Sequence, residues 1–344
     1  MMTGNKKRQH WRRKGFFTET LPLHPDDTLF LKCSGPIKIM GIEGPNAIIK
    51  GIGDLQWRRE GQLISAHFEG PIKAMVPRDV RLQLDTEGPV TVRDVNAGDI
   101  EALSSDGPLN VLGAATLHVR EADGALTVAD IRGRVQIDET DGPATFRNID
   151  GDIIVDEADG PITMQQCRGN IDVTNDGPIY LQLTGTLSQI VRLRADGSIF
   201  LKTPATTRMA GVIRAEHNIK IELDQQNVDA NDDTITLARP AGDQPVISVD
   251  IRADGDVYIG PNPPANAETV PQHSGWRWLS AFIGGRRWVR PTRTVTTPPP
   301  ADGAASASPL PTDDIAAERE MILRMVAEGK ITAEEAADLL EALE

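Results

Sequence analysis

The chain has 344 residues, 36 basic and 50 acidic, for a formal net charge of −14, and only 4% of it is aromatic. A surplus of acid argues against a general nucleic-acid binder. No apolar run reaches the ~18 residues of a membrane-spanning helix, and at roughly 150 residues per domain the length suits two domains with small appendages.

Residues 1–15 read as a basic disordered tail: Lys6, Lys7, Arg8, Arg12, Arg13 and Lys14 surround Trp11. The stretch lacks the apolar core and small-residue cleavage site of a secretory signal. A cytoplasmic address is expected, at most peripheral to the inner face of the membrane. Residues 16–69 read as N-terminal strands and a cap. Phe30–Ile39 alternates apolar and polar residues up to Gly35-Pro36, and residues 47–68 carry two less regular strands with Trp57 between them.

From residue 70 an internal repeat dominates. Glu69-Gly70-Pro71, Glu87-Gly88-Pro89, Asp106-Gly107-Pro108, Asp123-Gly124, Asp141-Gly142-Pro143, Asp159-Gly160-Pro161, Asp176-Gly177-Pro178 and Asp196-Gly197 follow one another at glycine spacings of 18, 19, 17, 18, 18, 17 and 20. Gly98, Gly133, Gly151 and Gly169 fall about halfway between them. Two and four residues after the corner glycine the side chains are apolar: Leu126 and Val128, Ala144 and Phe146, Ile162 and Met164. The second half repeats the rule with Val135 and Ile137, Ile153 and Val155, Ile171 and Val173. Period-2 alternation over about five residues is a strand with one buried face. Glycine permits the corner, because φ > 0 is open to it. One such coil cannot bury its own apolar face, so neighbouring coils must stack. The fold class predicted is mainly β: a parallel β-solenoid of about 18 residues per coil over residues 70–260. Antiparallel hairpins would call for Asn-Gly or Gly-Gly turns instead. Strands at 212–223, 234–238 and 245–259 continue less regularly, with 246–259 as the last coil and the irregular ends as caps against edge pairing.

The leading strand ending in Val76-Pro77, followed by Asp85-Thr86-Glu87-Gly88-Pro89-Val90-Thr91-Val92 and its successors, resembles the bacterial putative-adhesin family over roughly residues 30–260. That family is a β-solenoid domain of unknown function. It carries Ser/Asn-Gly-Asp at the corners where Asp-Gly-Pro stands here on one side. It has no established catalytic residues, so the resemblance implies none.

Residues 261–312 are a Pro/Ala-rich linker that holds an island of three of the chain's five tryptophans. Trp276, Trp278, Leu279, Phe282, Ile283, Arg286, Arg287 and Trp288 are candidates for contact with a partner or an anionic membrane surface, or for covering the last coil.

Residues 313–344 read as a helical hairpin. Glu328-Gly329-Lys330 ends the first helix with a C-cap glycine, and Thr332-Ala333-Glu334-Glu335 opens the second with a capping box. Ile322, Leu323, Val326, Ile331, Leu339, Leu340 and Leu343 form its apolar stripes. About 30 residues are too few for an independent core, so self-association or a protein partner is expected. The string Glu318 to Leu340 resembles the SHOCT-like short helical domain, which implies oligomerisation or protein–protein contact. Such domains often accompany the putative-adhesin solenoid in bacterial proteins linked to envelope stress.

No catalytic, cofactor-binding or metal-ligating residue is expected. The six histidines are scattered, and Cys33 and Cys167 read as two free buried thiols. The acids before the glycines would stack in one column. A divalent cation could bridge them, but the simpler reading is turn chemistry, with each Asp bonding its own backbone. A sugar-cleaving β-helix would need carboxylates in a long-loop cleft with aromatic platforms, and these coils are short and nearly loop-free. The chain is therefore read as a non-enzymatic scaffold, with a peripheral membrane protein of an envelope-stress pathway as the alternative and a surface adhesin behind both.

Overall fold

The computed structural model describes residues 9–183, 188–240, 242 and 244–263. Among them are twenty-two strands, β1 to β22 in chain order. The chain divides into two units at Glu268; the second, Thr269–Glu344, lies outside the described residues.

The regular coils begin with β7 (Arg81–Thr86), β8 (Val90–Ser105) and β9 (Leu109–Ala122). They continue through β10 (Leu126–Ile131), β11 (Val135–Thr140), β12 (Ala144–Arg147), β13 (Ile153–Ala158), β14 (Ile162–Gln165), β15 (Ile171–Asn175), β16 (Ile179–Gln182), β17 (Ile190–Ala195) and β18 (Ile199–Lys202). Every pairing among them is parallel, each strand lying on the equivalent strand of the next coil. Leu126 faces Ala144, Ala144 faces Ile162 and Ile162 faces Ile179, all fully or almost fully buried. Val135, Ile153, Ile171 and Val191 stack in the same way on the other side. The apolar positions two and four residues past each glycine are thus one continuous core, as the period-2 pattern requires.

The corners differ from the expectation. None of the corner glycines from Gly88 to Gly197 has positive φ. They are needed because coils approach closely there: a Cβ on Gly142 would sit 2.4 Å from the Gly124 carbonyl oxygen, and one on Gly160 2.5 Å from that of Gly142. The left-handed residues lie elsewhere, six positions past the glycine, at Asp94, Gly113, Asp130, Asn148 and Gln166. There the chain turns so that the next side chain (Val95, Ala114, Ile131, Ile149, Cys167) points inward. Asp and Asn tolerate this conformation, and Asn148 Nδ2 donates to Asp130 Oδ1 at 2.6 Å.

At both ends the order in space departs from the order in the chain. β2 (Thr28–Cys33) lies between β7 and β5 (Leu63–Glu69), and β3 (Ile37–Ile42) between β8 and β6 (Ile72–Pro77). The long β4 (Asn46–Glu60) then runs antiparallel over β5 and β6, and β1 (Gln9–Pro22) antiparallel over β4. Residues 9–15, expected in a disordered tail, are instead the first half of β1, paired with residues 53–59 of β4. The open edge of β4 supplies the main-chain partners. At the other end β21 (Ile247–Ala253) and β22 (Val257–Gly260) stack on β17 and β18. β19 (Met209–Leu223) lies beyond them, with β20 (Gln226–Leu237) antiparallel on β19. The segment expected as the last coil is thus the penultimate one, because β19 crosses first and leaves a gap that β21 and β22 fill. Reversed strands at each end cap the stack.

Candidate functional site

Strict register turns single outward residues into columns. Three such columns are described in turn.

The first is the acid before each corner glycine. The main-chain N–H of Asp123 donates to Ser105, that of Asp141 to Ala122, and that of Asp159 to Thr140, each at 3.0 Å. The acids are thus stacked, as expected, but the expected turn chemistry is not found: among the described residues the carboxylates of Asp123, Asp141 and Asp159 accept no hydrogen bond. Main-chain ladders hold this corner. No group of three or more His, Cys, Asp or Glu among the described residues is arranged to hold a metal ion.

The second column lies two residues before the glycine and points inward. It is small throughout: Thr86, Ser105, Ala122, Thr140, Ala158, Asn175 and Ala195 are all buried. Ser105 Oγ donates to the Gly107 carbonyl at 3.1 Å.

The third column lies three residues before the glycine and points outward. In β9, β11 and β13 it holds Glu121, Glu139 and Glu157, with Glu139 in direct register with both neighbours. In β17, β21 and β19 it holds Arg194, Arg252 and Arg214, with Arg252 in register with the other two. All six are exposed. Like charges directly opposite one another repel. Desolvation, followed by the charges of Glu157, Asp141, Glu121 and Asp123, holds the Glu139 carboxyl above its ordinary range. Arg214 lies 3.6 Å from Asp250. Among the described residues Arg194, Arg252 and the three glutamates have no hydrogen-bonded or ionic side-chain partner. Between the blocks sits Thr174, half-buried, in register with Arg194. On its other side Val155 faces Val173, and the Asp176 N–H reaches the Ala158 carbonyl, so Asp156 and Glu157 together oppose the single residue Thr174, as in a bulge. Sequence reading missed the arginine row. Arg194 and Arg252 share the offset from Gly197 and Gly255, but Arg214 precedes no glycine, and the β17–β21–β19 order is not chain order.

Several other polar groups are paired locally, whereas among the described residues Thr140 Oγ1 and Asn175 Oδ1 in the second column are buried without a hydrogen-bond partner. His118 Nε2 lies 2.9 and 3.0 Å from the Asp138 oxygens. Partial burial pushes the Glu101 carboxyl up, but hydrogen bonds from Gln83 and Arg120 leave it below its ordinary range. At the N-terminal end Lys32, Asp54, His67, Glu69, Asp85 and Glu87 line an open cleft of about 350 Å³. Lys32 Nζ donates to Asp85 at 2.6 Å there, and this bond and charge raise the lysine pKa.

Cys33 and Cys167 are free and buried, as expected. Burial pushes the Cys167 thiol up to about 11, against 9.0 when unperturbed. The folded state therefore disfavours the thiolate. Below pH ~9 neither state ionises; between pH ~9 and 11 the unfolded chain loses the proton first and stability falls. Urea titrations across that range should show a loss of up to about 2–3 kcal/mol that Cys167→Ala lacks.

The island from Trp276 to Trp288 and the hairpin residues Ile322, Leu323, Val326, Ile331, Leu339, Leu340 and Leu343 lie outside the described residues.

Residues 317–344 match the SHOCT-like domain. Among solved structures the chain is similar to a putative cell adhesion protein from Clostridium sporogenes, with 10% identity and a TM-score of 0.18 over 71% of this chain and 99% of the other. It is also similar to a putative adhesin from Bacteroides fragilis, with 12% identity and a TM-score of 0.36 over 72% and 98%. No curated protein matches the chain.

Proposed function

We propose that the chain is a non-enzymatic interaction scaffold, in which stacked coils present fixed columns of side chains and the SHOCT-like segment associates with itself or with a protein partner. The observation that carries this reading is the register itself. From β9 to β17 the outward positions repeat at the inter-strand spacing of about 4.8 Å, so the charged side chains stand on a rigid backbone. Columns of this kind suit recognition of a surface that is itself extended. Gathering several copies would sum weak contacts, since linked binding events gain from effective concentration. The SHOCT-like match at 317–344 and the apolar stripes of that segment support its part in the gathering.

Deleting residues 313–344 from the full chain tests the gathering. Light scattering should report a lower mass for the truncated chain while the circular dichroism of the strands persists. An unchanged mass would refute the role of the hairpin.

A further inference from the structure

We propose that two copies of this chain pair antiparallel through the column three residues before the corner glycines, about a two-fold axis at Thr174, so that the glutamates of each face the arginines of the other. This deepens the scaffold reading by naming one partner and its surface, and it uses no part of the hairpin.

Counted in stacked strands from Thr174 on β15, Glu157 is one step away on one side and Arg194 one step away on the other. Glu139 and Arg252 are each two steps away, and Glu121 and Arg214 each three. The column is therefore antisymmetric in charge about Thr174. A two-fold axis perpendicular to the stack brings every glutamate onto an arginine: Glu157 onto Arg194, Glu139 onto Arg252, Glu121 onto Arg214, each twice. The step along the stack is the same in both blocks, because each rides on parallel ladders; the bulge at Asp156–Glu157 sets Glu157 beside the line of Thr174, whereas Arg194 is in register with it. Such an interface is isologous and closes at two copies.

The isolated chain gives reason for the pairing. Each block sets like charges on adjacent strands, which is unfavourable on its own, and Arg194, Arg252 and the glutamates have no other partner among the described residues. At the axis Thr174 is short and uncharged, so nothing bulky meets its own image. Flanking acids lie beside both blocks: Asp250 stands next to the arginines, 3.6 Å from Arg214. Asp138 is taken up by His118, and Asp156, beside Glu157, adds to the acidic block that receives Arg194. The corner column is acidic throughout and shares this face, since Asp141 and Asp123 act on Glu139; about the same axis it meets its own image, a repulsion that the six Glu–Arg pairs must exceed.

The test uses the full chain carrying Thr174→Cys, spin-labelled at neutral pH. The native thiols stay unlabelled because both are buried. Sheets packed face to face lie about 10 Å apart, so paired labels at residue 174 give strong dipolar coupling. Expected is a short intermolecular distance at low ionic strength that disappears at high salt, where charges are screened beyond about 3 Å at 1 M. Reversing one block, either Glu121→Arg, Glu139→Arg and Glu157→Arg together or Arg194→Glu, Arg214→Glu and Arg252→Glu together, should weaken pairing by more than about tenfold. Mixing the two reversed chains should restore it, since one column is then wholly basic and the other wholly acidic. If a triple variant fails to fold, the single reversals Glu139→Arg and Arg252→Glu replace it in the same mixing experiment. Because a label on the axis itself puts bulk there, Ile190→Cys, exposed on the same strand as Arg194, is labelled in parallel; no short distance from either label in the unreversed chain at low salt overturns the proposal, and so does one that survives both reversals. Loss of mass on removing 313–344 with the residue-174 distance intact would separate this contact from that of the hairpin.

Discussion

Gly142→Ala is expected to destabilise the chain by about 3 kcal/mol or more. The new Cβ would stand 2.4 Å from the Gly124 carbonyl oxygen, 2.6 Å from its carbon and 3.0 Å from the Ala125 nitrogen. All three atoms belong to the backbone of the coil beneath, so no side chain can swing away. Relief requires the coils to separate locally. That stretches the ladder bonds on either side of the corner, such as Asp141 N–H to the Ala122 carbonyl at 3.0 Å and Leu126 N–H to the Pro143 carbonyl at 2.9 Å. The control is Gly61→Ala. Gly61 has φ +65° and open space around it, so its alanine variant bears only the left-handed strain, about 1–2 kcal/mol. Urea unfolding followed by circular dichroism measures both. Equal losses would mean that close approach of coils is not why glycine occupies the corner.

Phe146→Ala should cost about 3–5 kcal/mol. Phe146 is fully buried in mid-stack, facing Val128 on one side and Met164 on the other. Its neighbour on the same strand is Ala144, where the coils above and below hold Leu126 and Ile162. The large and the small residue together fill the volume that two medium residues fill elsewhere. Phe146→Val should therefore be partly rescued by Ala144→Ile, although close packing makes each change unfavourable alone. A double-mutant cycle with no favourable coupling would show that the two positions do not share space. Because each coil contacts only its neighbours, the damage should remain local in hydrogen exchange.

Much of the fold was legible from residue order. The apolar positions at Leu126, Val128, Val135 and Ile137 and their counterparts are buried where the alternation put them, because a side chain's face in a strand follows from its parity alone. The corner spacing was legible for a similar reason: a coil that stacks on its neighbour must return to the same place each turn. The reason for glycine at the corner was not legible. A glycine needed for left-handed backbone and one needed for close approach look alike in one dimension, and here Asp130, Asn148 and Gln166 took the left-handed role.

Residue order alone settled that this chain is built of parallel coils with a dry interior, because burial parity and repeat length are local properties read along the chain. The coordinates decided which strands are neighbours where the repeat breaks. β2 is inserted between β5 and β7, β21 between β17 and β19, and β4 and β20 run backwards as caps. They also decided the charge order of the outer column. Arg214 joins Arg194 and Arg252 through strand pairing across the stack, and such non-local pairing is set by which edge is open when the chain returns, a property of the assembled sheet.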